Sequence, residues 1–124
     1  MLRDNNIVIG SMLALIAVAF GAFGAHFLED ILIENDRLGT WGTAVEYHFY
    51  HSLAIMVSSL LLHHFNNRNI QRAIYSFLLG VVFFSGSLYT LSLTDISFFG
   101  AITPVGGVLF ILGWLLLAIG ARKR

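Results

Sequence analysis

Long apolar runs alternate along this chain with short polar breaks. The first run extends from about Ile7 to Leu28 without a charged residue. Further runs cover 44–65, 73–93 and 103–121, with Glu46 the one acid inside them. A helix needs about 20 largely apolar residues to cross a bilayer. The pattern therefore predicts an all-α polytopic membrane protein, an antiparallel four-transmembrane-helix bundle forming one domain over residues 1–124. The first run is longer than the apolar core of a secretory signal, about 7–15 residues, and reads as a retained span.

Composition strengthens this. Hydrophobic residues make up 57% of the chain, charged residues 11%, and mean hydropathy is +0.81. A soluble domain carries about a quarter charged residues. A chain this short has too much surface to hide the difference in a core, so the missing polar surface is expected to face lipid. The formal net charge of zero offers no basic field for nucleic acid. The lack of cysteine excludes disulfides and thiolate chemistry.

Within the first run Gly10, Ala14, Ala17, Gly21, Gly24 and Ala25 recur at steps near three and four, which lays them on one helical face. Lipid supplies little hydrophobic drive between helices, so close backbone approach matters more, and this face reads as a packing seam. Gly106, Gly113 and Gly120 play the same part in the fourth run. Thr43 and Glu46 fit a capping box at the start of the second helix. Thr103 suits the N-cap of the fourth, with Pro104 in its first turn. Between the first two spans, the spacing of Leu28, Ile31, Leu32, Leu38 and Trp41 predicts a short amphipathic helix at the interface, with Trp41 at headgroup level.

With four spans, Arg3, Arg68, Arg72, Arg122, Lys123 and Arg124 fall on one side and Arg37 on the other. The positive-inside rule then makes both termini cytoplasmic. That orientation brings polar residues scattered in sequence to one depth. His26 ends an outward helix, His48 and His51 begin an inward one, and Ser85, Ser87 and Tyr89 lie late in the next outward helix. Polar groups in lipid must pair with one another. A cluster of His26, Tyr47, His48, His51, Ser85, Ser87 and Tyr89 is expected in the outer third of the bundle.

No G-x-x-x-x-G-K-[ST], H-E-x-x-H or G-x-S-x-G motif occurs, and no catalytic residue stands out. Gly21-Ala22-Phe23-Gly24-Ala25-His26, the stretch from Tyr47 to Leu53, Phe84-Ser85-Gly86-Ser87-Leu88-Tyr89 and Thr103-Pro104-Val105-Gly106-Gly107 resemble the YgdD/YwdK-like domain-of-unknown-function family of small bacterial inner-membrane proteins. The resemblance covers essentially the whole chain. It implies four transmembrane helices in a bacterial inner membrane, and no activity. Position 48 departs from the family pattern, which leads one to expect Gln there.

Three functions follow from these residues. The first is a structural or interaction protein whose free face docks another membrane protein or a second copy, with the polar cluster fixing helix register. The second is handling of a proton, ion or small solute, because ionisable residues inside a membrane are functional candidates. The third, haem or metal bound by His26 with His48 or His51, lacks a carboxylate or thiol to complete the set, and no cofactor is expected. The only carboxylate near the histidines, Glu46, points away from His51 by about 140° on a helical wheel, which argues against an enzyme.

Overall fold

The computed structural model describes residues 2–122, with side chains from Asn5 onward. The described elements are all helical: α1 (Leu2–Ala19), a π-helical turn (Phe20–Gly24), α2 (Ala25–Phe27), α3 (Glu29–Glu34), α4 (Leu38–Phe65), α5 (Arg68–Gly80), a second π-helical turn (Val81–Ser85), α6 (Gly86–Thr94) and α7 (Ser97–Ala121). Each π turn continues the helix on either side, so α1 and α2 form one rod, and α5 and α6 another. Three stretches are long and apolar enough to cross a membrane: Asn5–Phe27, Arg68–Thr94 and Ser97–Ala121. Helix α4, with 28 residues, is longer but more polar.

The glycines show how the rods are paired. Gly10 lies against Met56 and Ser52, Gly21 against Val45, and Gly24 against Trp41. Numbers rise on the first rod as they fall on α4, so the two run antiparallel. Gly106, Gly113 and Gly120 lie against Phe84, Phe77 and Ile70 in the same reversed order, pairing α7 with the α5–α6 rod, the third along the chain after α4. Between these pairs sits the main apolar core, where Ile55 and Leu62 of α4 meet Ile70, Ile74 and Phe77 of α5. Outward surfaces are strongly apolar: Phe27 is 80% exposed and Ile111 71%. A patch of that extent suits lipid rather than water.

The connections are tight because their residues tolerate left-handed backbone. Asp36, Asn66 and Asp95 have φ of 56°, 43° and 55°, a region that short polar side chains enter most readily. Asn67 then caps α5, its side-chain oxygen accepting from the Asn69 amide at 2.7 Å. At the opposite end Arg37 Nε donates to Asp95 Oδ1 at 3.1 Å, and Asn35 Nδ2 donates to the Ser92 carbonyl at 3.0 Å.

Both expected caps are corrected. Helix α4 begins at Leu38, so Thr43 and Glu46 lie inside it, and Thr43 Oγ1 donates back to the Gly39 carbonyl. Helix α7 begins at Ser97 and encloses Thr103 and Pro104. In each case apolar packing continues the helix upstream of a good capping residue. A short helix does follow the first span, but Trp41 belongs to α4 and is buried. The indole finds a protein acceptor, so it has no need of headgroup water.

The charged ends differ. The end holding the 28–37 and 95–96 connections carries Glu29, Asp30, Glu34, Asp36 and Asp95 against Arg37. The opposite end carries Arg68, Arg72 and Arg122. The Arg3 side chain, Lys123 and Arg124, counted with that end above, lie outside the described residues.

A Cβ on Gly106 would stand 2.6 Å from Phe84 Cα, whereas one on Gly42 meets nothing within 4 Å. Gly106→Ala is therefore expected to destabilise the protein by about 1–3 kcal/mol. Gly42→Ala is expected to be neutral or stabilising, because alanine is the better helix former. Thermal unfolding in a mild detergent checks both.

Candidate functional site

Helix α4 positions most of the polar side chains. His48 and His51 are both buried, as are Ser52, Ser58 and Ser59. The two histidines diverge: one turns toward the first rod and α6, the other toward α7.

His48 Nδ1 lies 2.8 Å from the Tyr89 hydroxyl. Its ring rests near the Leu13 backbone, and Nε2 completes no hydrogen bond of ordinary geometry. Tyr89 in turn packs edge-on to Phe20 and against Trp41, with ring centroids 5.1 and 4.8 Å away. Trp41 Nε1 donates to the Phe20 carbonyl at 3.0 Å. That carbonyl opens the first π turn and also accepts from the Ala25 amide. One aromatic corner thus joins the first rod, α4 and α6.

His51 occupies a second corner. Its Nδ1 is 2.8 Å from the Tyr47 carbonyl, and Trp114 Nε1 donates to its Nε2 at 3.0 Å. A carbonyl only accepts and an indole N–H only donates. The partners therefore assign the neutral ring with its proton on Nδ1. The imidazole also stacks on Phe110, with centroids 3.6 Å apart and planes 9° from parallel. Beside it lies a cavity of about 360 Å³ lined by Tyr47, Phe84, Phe110 and Trp114.

Three serines bond across helices to backbone or hydroxyl groups. Ser85 Oγ donates to the Ala44 carbonyl at 2.8 Å, Ser87 Oγ lies 2.7 Å from Thr103 Oγ1, and Ser76 Oγ donates to the Leu109 carbonyl at 2.6 Å. None has a histidine partner that would make it a nucleophile. Among the described residues no group of three or more His, Cys, Asp or Glu is placed to hold a metal ion.

His26 is not brought to the other histidines. Its side chain is 82% exposed and stands 3.9 Å from Glu29. The antiparallel register explains this: Gly24 already lies against Trp41, seven positions before His48 on α4 and about 10 Å from it along the axis, and His26 lies beyond Gly24, after the first π turn. The seam of small residues is divided at the same point: Gly10 and Ala17 are buried, Ala14 and Ala25 partly so, while Gly21 is exposed.

Sequence reasoning missed Trp41 and Trp114 as hydrogen-bond donors. The available signal was that a tryptophan in an apolar environment needs a partner for its N–H. It missed Asn6 as well, whose side chain is buried with Nδ2 unpartnered.

Comparison with known proteins places the chain in a family. A family described as "Protein of unknown function (DUF423)" matches residues 20–107. A UPF0382 membrane protein of Staphylococcus epidermidis is 46% identical over 117 residues, with 94% of each chain covered. The UPF0382 membrane protein YwdK of Bacillus subtilis is 45% identical over 118 residues, covering 94% of this chain and 95% of the relative. The chain belongs to this family of membrane proteins, whose function is uncharacterised. No solved structure matches it.

Trp114→Phe keeps the ring and removes the donor to His51. It is expected to cost about 0.6 kcal/mol and no more than about 1.7, the range measured for such bonds between membrane helices. In nitrogen-15 spectra of the native protein His51 is expected as the neutral, Nδ1-protonated form. A proton on Nε2 would contradict the assigned hydrogen bonds.

Proposed function

We propose that this member of the DUF423 family is a four-span protein of the bacterial inner membrane with both termini cytoplasmic. In this reading α4 is the fourth membrane-crossing rod. At about 1.5 Å per residue it is about 42 Å long, enough for a hydrocarbon core of about 30 Å. Its polar residues are supported by neighbouring helices rather than by water. Charge separation between the two ends supports the orientation, since basic residues favour the cytoplasmic side.

The role proposed is structural: a register-locked platform that docks another membrane protein or a second copy of itself. The observation that carries it is the use of the polar side chains. His48 with Tyr89, His51 with Trp114, Ser85 with Ala44 and Ser87 with Thr103 each join two helices. Directional bonds of this kind hold helix rotation, and they spend the groups a reactive site would need. The first rod and α7 meanwhile keep broad apolar faces turned outward, the surface a partner helix would cover. Cross-linking in native membranes followed by purification in mild detergent is expected to recover a stoichiometric partner, homomeric or otherwise. Recovery of the lone chain under both conditions contradicts the platform.

One observation favours a second reading, movement of a proton or small solute. Ser58 Oγ is buried without a partner, and His48 Nε2 makes no hydrogen bond of ordinary geometry although the Leu13 backbone is near; buried polar groups of this kind commonly hold water. Proton flux into proteoliposomes is then expected to fall at least severalfold in His48→Gln. Flux equal to that of the native protein removes this reading.

A further inference from the structure

The cavity beside His51 lies between α4, the second π turn and α7, and one of its lining residues, Ile111, is strongly exposed on the outer face. Its volume of about 360 Å³ falls within the range of small-molecule sites, about 300–1,000 Å³. The walls are mostly rings. Tyr47 packs on Phe84, with centroids 4.6 Å apart, and lies within 26° of parallel to Phe110 at 6.2 Å. Gly107 keeps one wall low: a Cβ there would meet only Phe84 Cδ2, at 4.0 Å. Phe84 itself belongs to the second π turn, an irregularity frequent at functional sites.

Three lining residues carry polar side-chain atoms: Tyr47, His51 and Trp114. Both His51 nitrogens are engaged, one by the Tyr47 carbonyl and one by Trp114, whose single N–H is thereby used. The Tyr47 hydroxyl differs, having no hydrogen-bond partner among the described residues. Its ring contacts on other helices, Phe84 and Phe110, both belong to the cavity wall, so the phenol stands on the cavity side. Tyr47 lies nine positions past Leu38, about 13 Å along a rod of about 42 Å. With α4 crossing the bilayer, its ring is within the hydrocarbon, where lipid tails offer a hydroxyl no partner.

We infer that this cavity binds the head of a lipid-soluble quinone, its flat ring among Tyr47, Phe84 and Phe110, and one carbonyl accepting from the Tyr47 hydroxyl. Two carbonyls draw electrons from a quinone ring, which suits it to the negative faces of aromatic side chains. An acyl chain fills the space and leaves the phenol unpaired. A fatty alcohol pairs the phenol and has no ring to set against the walls. A charged headgroup meets no counter-charge, since His51 is held neutral by its partners. The inference rests on the proposed topology only in placing Tyr47 within the hydrocarbon. Binding is read in micelles, so its failure is distinct from a failure of that topology.

The chain has two tryptophans. Trp114 stands in the cavity wall and Trp41 in the other aromatic corner, so their indole N–H resonances supply a reporter and an internal control. The full chain in a neutral maltoside detergent is titrated with menadione, a naphthoquinone, and with methylnaphthalene, the same rings without carbonyls. Menadione is expected to shift the Trp114 resonance to saturation, to leave Trp41 in place, and to bind about tenfold tighter than the hydrocarbon. Tyr47→Phe is expected to abolish that preference. Tyr50→Phe removes a phenol outside this cavity's wall and is expected to keep it. Gly107→Leu fills the cavity and is expected to weaken both ligands about tenfold, with the unfolding temperature unchanged. Equal affinity for quinone and hydrocarbon, a preference that survives Tyr47→Phe, full binding to Gly107→Leu, or parallel shifts of both indoles without saturation overturns the proposal.

Discussion

Hydrogen-bonding groups buried away from water must find partners within the protein, and α4 is where this constraint presses hardest. Five of its ten buried residues are polar: His48, His51, Ser52, Ser58 and Ser59. An unmade hydrogen bond in such surroundings costs about 1–3 kcal/mol. Ser52 bonds its own helix through the His48 carbonyl. The histidines cannot do so completely, because an imidazole has two nitrogens and one helix supplies at most one partner. They need Tyr89 and Trp114 from other helices. That need fixes the faces that the third rod and α7 present to α4, and everything described above depends on it.

The two π turns make those faces available. The first opens at Phe20, whose carbonyl accepts from Trp41. The second ends at Ser85, whose hydroxyl reaches the Ala44 carbonyl. Each turn accommodates an extra residue and so re-aims the helix that follows. The cost falls on the seam of small residues, which no longer runs straight. Packing compensates through glycine contacts on either side, with Gly10 against Met56 and Gly24 against Trp41. Gly21, inside the first turn, stays exposed although it lies against Val45 of α4.

Much of the architecture could be read from the pattern of apolar runs, because lipid-scale helices need long uninterrupted segments and announce themselves. Pairwise glycine packing was legible in the same way from steps of three and four. Helix starts were not. Thr43 and Thr103 have the chemistry of caps, yet their helices begin at Leu38 and Ser97. Local capping preference is worth about 1 kcal/mol, which tertiary packing readily overrides. His26 fell away from the expected cluster because depth was read from the order of the spans alone, and the register that sets Gly24 against Trp41 carries His26 past the level of His48. The pairing of His51 with Trp114 spans 63 positions. It depends on the rotation of α7, which no local spacing encodes.

The account stands on α4 passing through the bilayer despite its histidines and Glu46. The chain contains no cysteine, so single cysteines report cleanly. The most direct measurement is labelling of Gly39→Cys and His64→Cys, at opposite ends of α4, with a membrane-impermeant maleimide applied to intact cells and to inverted membranes. The account predicts that position 39 reacts from outside the cell and position 64 from the cytoplasmic side alone. Reaction of both from the same side would contradict it.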